Sequence, residues 1–408
     1  MKNAHLLYAI FILFTIGCRS YNARPYDFPK PVDTTDKPID LQIKKMYSTN
    51  AGVYADNQFD GARLNDFQQI NPDTFIATIS PENEPVNPSA YYAFRLWTDL
   101  PKSVVVKIDY TSAFHRYSPK ISKDGENWML LDSTKIQMDS AMAPFIHLNL
   151  DLSPDILWVA AQELQTSRHV KDWCIQQAKN ANVNFKVTGR SKQGREMLHL
   201  EIGSEDLRKK DIIGIIGRQH PPEVTGHLAM QAFIETILAD TPLSNDFRKK
   251  YHVLVFPLMN PDGVDLGHWR HNAGGIDLNR DWAYYHQEEV RHVANYIAKT
   301  AKRNKAKVIL GIDFHSTWRD VLYTNSQSAD NLPRFKDYWV AGLRNVLSEE
   351  KIRESPSKVG TPVSKGWFLT QFNAEGIVYE VGDDTPRDLI QKKGQAAAVE
   401  MMELLIYK

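Results

Sequence analysis

The spacing of apolar and polar residues divides the chain into two parts with different predicted secondary structure. Between about Met46 and Gln165 the apolar runs are short, and Asp124-Gly125 falls where a tight hairpin would turn. These runs are "YYAFRLWTD", "SVVVKIDY", "FIHLNL" and "ILWVAA". Several short strands with turn signals between them predict an all-β sandwich over residues 46–165.

From about Ser167 onward, apolar strand-like runs alternate with helix-like segments. The strand-like runs are "DIIGIIG", "YHVLVFPL", "KVILGIDF" and "GIVYEV", and the helix-like segments are "EVTGHLAMQAFIETILA" and "QEEVRHVANYIAKTAKR". A hairpin with Gly194 in its turn precedes them. This alternation predicts an α/β domain over residues 166–408, with helices on the faces of its sheet.

Size and composition fit this division and exclude one class of function. The chain has 408 residues, of which 42% are hydrophobic and 24% charged, as in a folded soluble protein with room for two domains. Lys+Arg and Asp+Glu each number 49. Broad binding to nucleic acid requires a basic surface, so we expect no nucleic-acid partner.

The N-terminus has the pattern of an export signal. In "MKNAHLLYAIFILFTIGC", Lys2 precedes an apolar run that is too short for a transmembrane helix. "TIGC" resembles a bacterial lipobox, although Thr15 is unusual at its position and a plain secretory signal is the alternative. We predict a lipoprotein-type signal peptide over residues 1–18, lipidation of Cys18, and a linker over residues 19–45.

That prediction places the protein in the cell envelope, on the periplasmic or outer-membrane face, and attaches it to the membrane by lipid. The chain has two cysteines, so lipidation of Cys18 leaves Cys174 without a disulfide partner. Cys174, in "KDWCIQQ", is then expected to be a buried apolar residue.

Polar residues with catalytic chemistry follow several of the predicted strands. His220 and Glu223 follow "DIIGIIG", His315 follows "KVILGIDF", and Glu380 lies in "GIVYEVGDD". The carboxyl ends of strands in open α/β sheets are where ligands bind, so these residues are expected to meet in one cleft.

Two histidines, one carboxylate and a water are a common ligand set for zinc in hydrolases. His220, Glu223 and His315 supply such a set. Taken alone, the short H-x-x-E pattern favours structural histidines and an ordinary acidic residue in the first turn of a helix over a metal site.

The downstream motifs favour the zinc hypothesis, because together they resemble the M14 zinc carboxypeptidases. The matching motifs are "HPPE", "MNPDGV", "HWR", "GGIDLNRDW", "DFHS" and "VYEVGDD", which occur in the family's order between Asp211 and Asp384. The pattern is closest to the cytosolic-carboxypeptidase branch, whose members carry a β-sandwich before the catalytic domain. The resemblance therefore implies a zinc-carboxypeptidase-like α/β/α domain with a mixed sheet and one zinc ion per chain.

The same resemblance assigns roles to individual residues. His220, Glu223 and His315 would bind zinc, Glu380 would be the general base, and Arg270 would stabilise the oxyanion. The substrate's terminal carboxylate would be held by Asn279 and Arg280. Asp277 is either the carboxylate that orients a metal-binding histidine or a structural turn residue.

Substrate preference is less directly indicated. Alignment through Trp367 and Glu380 places Lys365 near the floor of the specificity pocket, where a buried ammonium would favour an acidic C-terminal side chain. A solvent-facing lysine is the alternative. Many family members have a tyrosine that closes over the substrate, but "SPSKVGTPVSKGW" has none, and Tyr323 is an open candidate.

Three functions agree with these observations. The first is an exported zinc metallocarboxypeptidase that acts on peptides with a free C-terminus. The second is a carboxypeptidase or amidase that acts on cell-wall stem peptides. The third is a non-catalytic lipoprotein that binds glycans or peptides through the sandwich. For an enzyme, we expect the sandwich to pack on the catalytic domain and shape access to it.

Overall fold

A computed structural model describes residues 22–140, 142–203 and 206–407 of the chain. The predicted signal peptide and Cys18 lie outside the described residues. In the first part of the chain the strands are β1 (Met46–Ser48), β2 (Val53–Asp56), β3 (Asp66–Asn71), β4 (Thr74–Ile79), β5 (Ala93–Thr98), β6 (Lys102–Tyr110), β7 (Lys120–Ser122), β8 (Met129–Leu130), β9 (Ile136–Gln137), β10 (Phe145–Leu152) and β11 (Leu157–Ala160). A 3₁₀ turn, Ser133–Lys135, precedes β9.

The second part contains the helices and the remaining strands. The elements are α1 (Ser167–Gln177), β12 (Val183–Arg190), β13 (Glu196–Ile202), β14 (Ile212–Gly217), α2 (Val224–Leu238), α3 (Pro242–Lys250), β15 (His252–Phe256), α4 (Pro261–Asp265), α5 (Glu288–Asn304), β16 (Val308–Thr317), β17 (Val321–Asn325), α6 (Phe335–Val346), β18 (Glu354–Ser357), α7 (Ser364–Phe372), β19 (Glu375–Gly382) and α8 (Arg387–Tyr407). A second 3₁₀ turn spans Leu278–Arg280.

The first part forms two sheets that face each other. One has the order β1-β2-β5-β11-β7-β8 and the other β3-β4-β6-β10-β9. Strand β6 illustrates why these residues form strands with one face on a core. Val104, Val106 and Ile108 are buried while their neighbours are more exposed, which is the two-residue period of such a strand. The predicted all-β sandwich is confirmed.

The second part forms one mixed sheet of order β12-β13-β15-β14-β16-β19-β17-β18. Strands β14, β15, β16 and β19 are parallel to their neighbours in the centre, whereas β12, β13 and β17 introduce antiparallel pairs. Every residue of β14 is buried, as expected for a parallel strand covered by helices on both faces. The predicted α/β/α domain with a mixed sheet is confirmed.

The two parts share an extensive contact. The indole of Trp269, from the α/β domain, is buried in the hydrophobic core of the sandwich. Arg387 at the start of α8 makes two hydrogen bonds of 2.6 Å to the carboxylate of Glu163. The sandwich therefore packs directly on the α/β domain.

The described part of the predicted linker, residues 22–45, contains no helix or strand, yet it lies against the α/β domain. The Thr34 hydroxyl donates a 2.5 Å hydrogen bond to Asp281, and Phe28 is buried. Cys174 lies on the buried face of α1, where burial raises the pKa of its thiol to about 12. Within the described ranges, no helix has the length and apolar character that crossing a membrane requires.

Candidate metal centre and active site

The three predicted metal ligands come from three segments that the central sheet brings together. His220 lies in the loop that follows β14, and Glu223 lies immediately before the first residue of α2. His315 lies in β16, whose parallel register with β19 pairs it with Glu380. The carboxyl ends of adjacent parallel strands thus place all four side chains in one cleft, as the sequence predicts.

The ligand atoms of His220, Glu223 and His315 converge on one point. They lie within 4.8 Å of one another, and the three side chains are buried. The Glu223 carboxylate lies between the histidines, with Oε1 2.7 Å from His220 Nδ1 and Oε2 2.6 Å from His315 Nδ1. Both imidazoles therefore present Nδ1 to the centre.

Each imidazole is held from behind by a second carboxylate. His220 Nε2 lies 2.9 Å from Asp277 Oδ1, and His315 Nε2 lies 2.8 Å from Asp313 Oδ2. A proton on Nε2 that is donated to a carboxylate leaves the lone pair of Nδ1 free for a metal. The structure places Asp277 in the orienting position that the resemblance implies, and it adds Asp313 as a counterpart.

The charged and titratable groups of this centre lie within hydrogen-bond distance of one another and shift each other's pKa values. Burial opposes ionisation of Glu223, but the adjacent His220 and His315 hold the pKa of its carboxyl well below the ordinary value. Burial likewise opposes a charge on His315, yet Asp313 and Glu223 raise the pKa of that imidazole. An array of converging anionic and imidazole donors is a favourable environment for a divalent cation.

The donor set fits zinc. Two imidazole nitrogens and one carboxylate, each backed or flanked by hydrogen-bonding groups, form the three-ligand set of catalytic zinc sites and leave a position open. Among the described residues no thiolate lines this site, because Cys174 is buried on the inner face of α1 and does not reach the cleft. The residues present therefore fit a zinc ion that His220, Glu223 and His315 would hold.

The predicted general base and oxyanion donor adjoin this centre. Burial raises the pKa of Glu380 to about 8, and its Oε2 is buried without a hydrogen-bond partner among the described residues. Arg270 Nε donates a 2.9 Å hydrogen bond to Asp277 Oδ2, so one carboxylate contacts both His220 and Arg270. Glu380 thus has an unpaired carboxylate oxygen in the cleft, and the guanidinium of Arg270 is fixed beside the predicted metal ligands.

The predicted carboxylate-binding pair lies next to Asp277. Asn279 is buried, its Oδ1 accepts a 2.9 Å hydrogen bond from Ser364 N, and its Nδ2 lies 3.4 Å from His315 Nε2. The side chain of Arg280 is one-third exposed, and its Nη1 donates to Asn279 O at 2.8 Å. An anchored amide beside a partly free guanidinium can hold a carboxylate.

A cavity of about 450 Å³ opens onto these groups; we call it the catalytic cavity. Its walls are Asn87, Pro88, Arg116, His220, Glu223, Arg270, Asn279, Arg280, His315, Ser316, Thr317, Trp318, Tyr323, Val363, Lys365, Val378 and Glu380. Three of these residues, Asn87, Pro88 and Arg116, belong to the sandwich. The N-terminal domain therefore shapes the entrance to the site.

The structure also places the two residues on which substrate preference depends. Lys365 is buried in the cavity wall, and its Nζ donates to Thr324 O, Asn325 Oδ1 and Ser357 Oγ at 3.0, 3.0 and 3.1 Å. Burial lowers the pKa of Lys365 to about 8. Tyr323 lines the same cavity from β17 and is 37% exposed.

Two residues of the site, Asp313 and Arg116, were not predicted from the sequence. Asp313 lies two positions before His315, and residues two apart on a strand share a face, so the D-x-H spacing was a usable signal. Asp313 also accepts a 2.6 Å hydrogen bond from Gln219 Nε2 and one from Ser364 Oγ. Arg116, by contrast, belongs to the sandwich, and nothing in its local sequence connects it to the cleft.

Comparison with known proteins agrees with this geometry. Residues 173–367 match the zinc carboxypeptidase family, M14. The chain is 32% identical over 148 residues to cytosolic carboxypeptidase 6 of Mus musculus, which covers 34% of this chain and 27% of the mouse protein. It is 27% identical over 192 residues to cytosolic carboxypeptidase 6 of Caenorhabditis elegans, which covers 44% of this chain and 38% of that protein.

The fold is shared with solved metallo-carboxypeptidases over most of the chain. The structure superposes on a metallo-carboxypeptidase from Burkholderia cenocepacia with a TM-score of 0.72, 16% identity, and coverage of 86% of this chain and 99% of that one. The corresponding values for a metallo-carboxypeptidase from Pseudomonas aeruginosa are 0.70, 19%, 86% and 98%.

The fold and the metal centre define a zinc carboxypeptidase domain, and residues 173–367 of the chain belong to the M14 family. Its sequence relatives support a place in the cytosolic-carboxypeptidase-like branch. The matched regions span only 27% and 38% of the lengths of these two relatives.

Proposed function

We propose that this protein is a zinc-dependent carboxypeptidase that removes single amino acids from the free C-terminus of peptides. The observation that carries this proposal is the convergence of His220, Glu223 and His315, with Glu380 beside them in the adjacent strand. A zinc ion bound there supplies Lewis acidity, which polarises a carbonyl and lowers the pKa of a water.

The residues around the metal ligands supply the rest of the chemistry. Oε2 of Glu380 has no hydrogen-bond partner among the described residues, so it is free to take the proton of the attacking water and return it to the leaving amine. The guanidinium of Arg270 donates to the oxygen on which negative charge develops. Asn279 and Arg280 hold the terminal carboxylate, which fixes the scissile bond one residue away.

Hydrolysis of matched peptides with free and amidated C-termini tests this proposal. The zinc-loaded protein is expected to cleave the free form only, and Glu380→Gln is expected to lower kcat by about 10²–10⁴-fold without loss of zinc. Glu375→Gln is the matched control, because Glu375 is a buried carboxylate of the same strand that does not line the catalytic cavity. Equal cleavage of amidated peptides would contradict the roles of Asn279 and Arg280.

The proposed function includes a preference for acidic C-terminal residues. The buried ammonium of Lys365 lines the cavity, and its three hydrogen-bond acceptors are neutral oxygens rather than carboxylates. A substrate carboxylate would supply the counter-charge that a buried ammonium favours.

Peptides that end in Glu, Lys and Phe test this preference. We expect the highest kcat/KM for Glu, and loss of that preference in Lys365→Met. Lys336→Met is the control, because Lys336 is also buried but does not line the catalytic cavity. Equal kcat/KM for the three peptides would remove the idea.

The proposed location is the cell envelope, by lipidation of Cys18. This proposal comes from the N-terminal sequence of this chain, whereas several matched relatives are named cytosolic carboxypeptidases. Labelling of cells with a radioactive fatty acid should mark the wild-type protein and not Cys18→Ser. An unlabelled protein in the soluble fraction would contradict the lipid anchor.

A further inference from the structure

A buried carboxylate of the sandwich domain contacts the segment that carries Arg270. Glu82 lies in the loop after β4 and is fully buried. Its Oε2 accepts a 2.7 Å hydrogen bond from the backbone amide of Trp269, and its Oε1 accepts 2.9 and 2.6 Å bonds from the amides of Arg270 and His271. Three consecutive amides therefore converge on one side chain.

The neighbouring residue extends this contact along the same segment. Asn83 Oδ1 lies 2.6 Å from His271 Nδ1, and Asn83 Nδ2 donates a 3.1 Å hydrogen bond to Gly275 O. Trp269 is fixed independently, because its Nε1 donates to Tyr91 O at 2.9 Å. Residues of the sandwich thus hydrogen-bond to the segment 269–275 at both its beginning and its end.

Glu82 carries the charge that such an arrangement requires. Burial disfavours its ionised form, but His268, His271 and the hydrogen bond from the His271 amide keep the pKa of Glu82 below its ordinary value. Hydrogen bonds from amides to a carboxylate are short and about twice as strong as those between neutral groups. Their loss in a buried site is costly, because the amides would remain unpaired.

We propose that Glu82 is a positioning residue for the hydrolytic reaction: it fixes the backbone of Arg270 so that the guanidinium is directed at the developing oxyanion. Arg270 is then held at two points: Glu82 accepts a hydrogen bond from its backbone amide, and Asp277 accepts one from its side-chain Nε. This inference rests on the proposed carboxypeptidase function, and it makes the sandwich a structural part of the active site.

Kinetics of the zinc-loaded full chain test the proposal. Removal of an oxyanion donor typically lowers kcat by about 10²–10³-fold, so misplacement in Glu82→Gln should lower kcat by about 10-fold or more, with KM changed less than about threefold. In an Arg270→Ala background the same substitution should change kcat by less than about twofold, because the group that it positions is absent. Glu163→Gln is the control: it removes another buried carboxylate at the domain interface, one paired with Arg387, and should leave kcat unchanged.

Hydrogen exchange provides a second readout that does not depend on activity. The amides of residues 269–271 should exchange faster in Glu82→Gln than in the wild type, and no faster in Glu163→Gln. Glu82→Asp, which keeps the charge but shortens the side chain, should show an intermediate kcat and intermediate exchange.

Distinct results would overturn the proposal. One is an unchanged kcat in Glu82→Gln. Another is a double variant whose fold-loss in kcat equals the product of the losses in Glu82→Gln and Arg270→Ala. The third is unfolding of both Glu82 variants, which would assign the residue to stability alone. If the wild-type chain cleaves no peptide, the carboxypeptidase function fails. The exchange rates of residues 269–271 then still decide whether Glu82 fixes this segment.

Discussion

Replacement of Asp313 by asparagine should weaken zinc binding while leaving the three ligands in place. Asp313 is 1% exposed, and its Oδ2 accepts hydrogen bonds from His315 Nε2, Gln219 Nε2 and Ser364 Oγ. Asparagine removes the negative charge and offers a neutral oxygen, so the imidazole becomes a weaker donor to zinc. Hydrogen bonds to charged groups contribute about 1.5–3 kcal/mol and neutral ones about 0.5–1.5 kcal/mol.

The difference of about 1–2 kcal/mol corresponds to a zinc dissociation constant raised about 10-fold, within the 10–100-fold range of such outer carboxylates. Competition with a chromophoric chelator at pH 7.5 measures that constant. Asp265→Asn is the control, because Asp265 is also buried but binds Ser167 and Arg195 rather than a metal ligand. A dissociation constant for Asp313→Asn within twofold of wild type would refute the reasoning.

Two further predictions concern stability. In Gly226→Ala, the added Cβ would lie 2.2 Å from His315 O, so urea unfolding should show a free energy of unfolding lower by about 1–3 kcal/mol. Gly360→Ala is the control and should change little, because its Cβ would come no closer than 3.8 Å to any atom. Equal stabilities of the two variants would contradict the close approach of α2 to β16. Burial raises the pKa of Glu289 from 4.5 to about 7, so the unfolded chain ionises first and the wild type should lose up to about 3 kcal/mol of its free energy of unfolding between pH 5 and 8. Glu289→Gln should lack that loss in urea titrations at the two pH values, and identical pH dependence of the two proteins would contradict it.

Much of the fold was accessible from local patterns in the sequence. The runs around β5, β6 and β10 alternate with period two, β14 is continuously apolar, and β16 begins with the apolar run "VILGI". Strand type and burial could therefore be predicted without tertiary information. Strand β18 could not, because "ESPS" contains a proline and no apolar alternation. It forms only through its pairing with β17 at the edge of the sheet.

The site residues that could be predicted are those that occur in short motifs at the ends of strands. The structure brings His220, Glu223, His315 and Glu380 together because parallel strands end at the same edge. Contacts made across the domain boundary left no local signal. Glu82 and the Arg270 amide are 188 positions apart, and only the docked domains place them in contact.

The segment that precedes the sandwich also makes contacts that its local sequence does not predict. Its Pro, Asp and Lys residues indicate an unstructured linker, and the described part has no helix or strand. However, Thr34 hydrogen-bonds to Asp281, and the amide of Lys37 donates to Gly274 O at 2.8 Å. Polar contacts of this kind have no periodicity, so a pattern of apolar residues cannot predict them.

The most direct test of the account is metal analysis of the purified protein together with anomalous diffraction at the zinc edge. We predict one zinc ion per chain, bound through Nδ1 of His220, Nδ1 of His315 and the Glu223 carboxylate. Absence of an anomalous peak between these three side chains, or a metal bound elsewhere in the molecule, would contradict it.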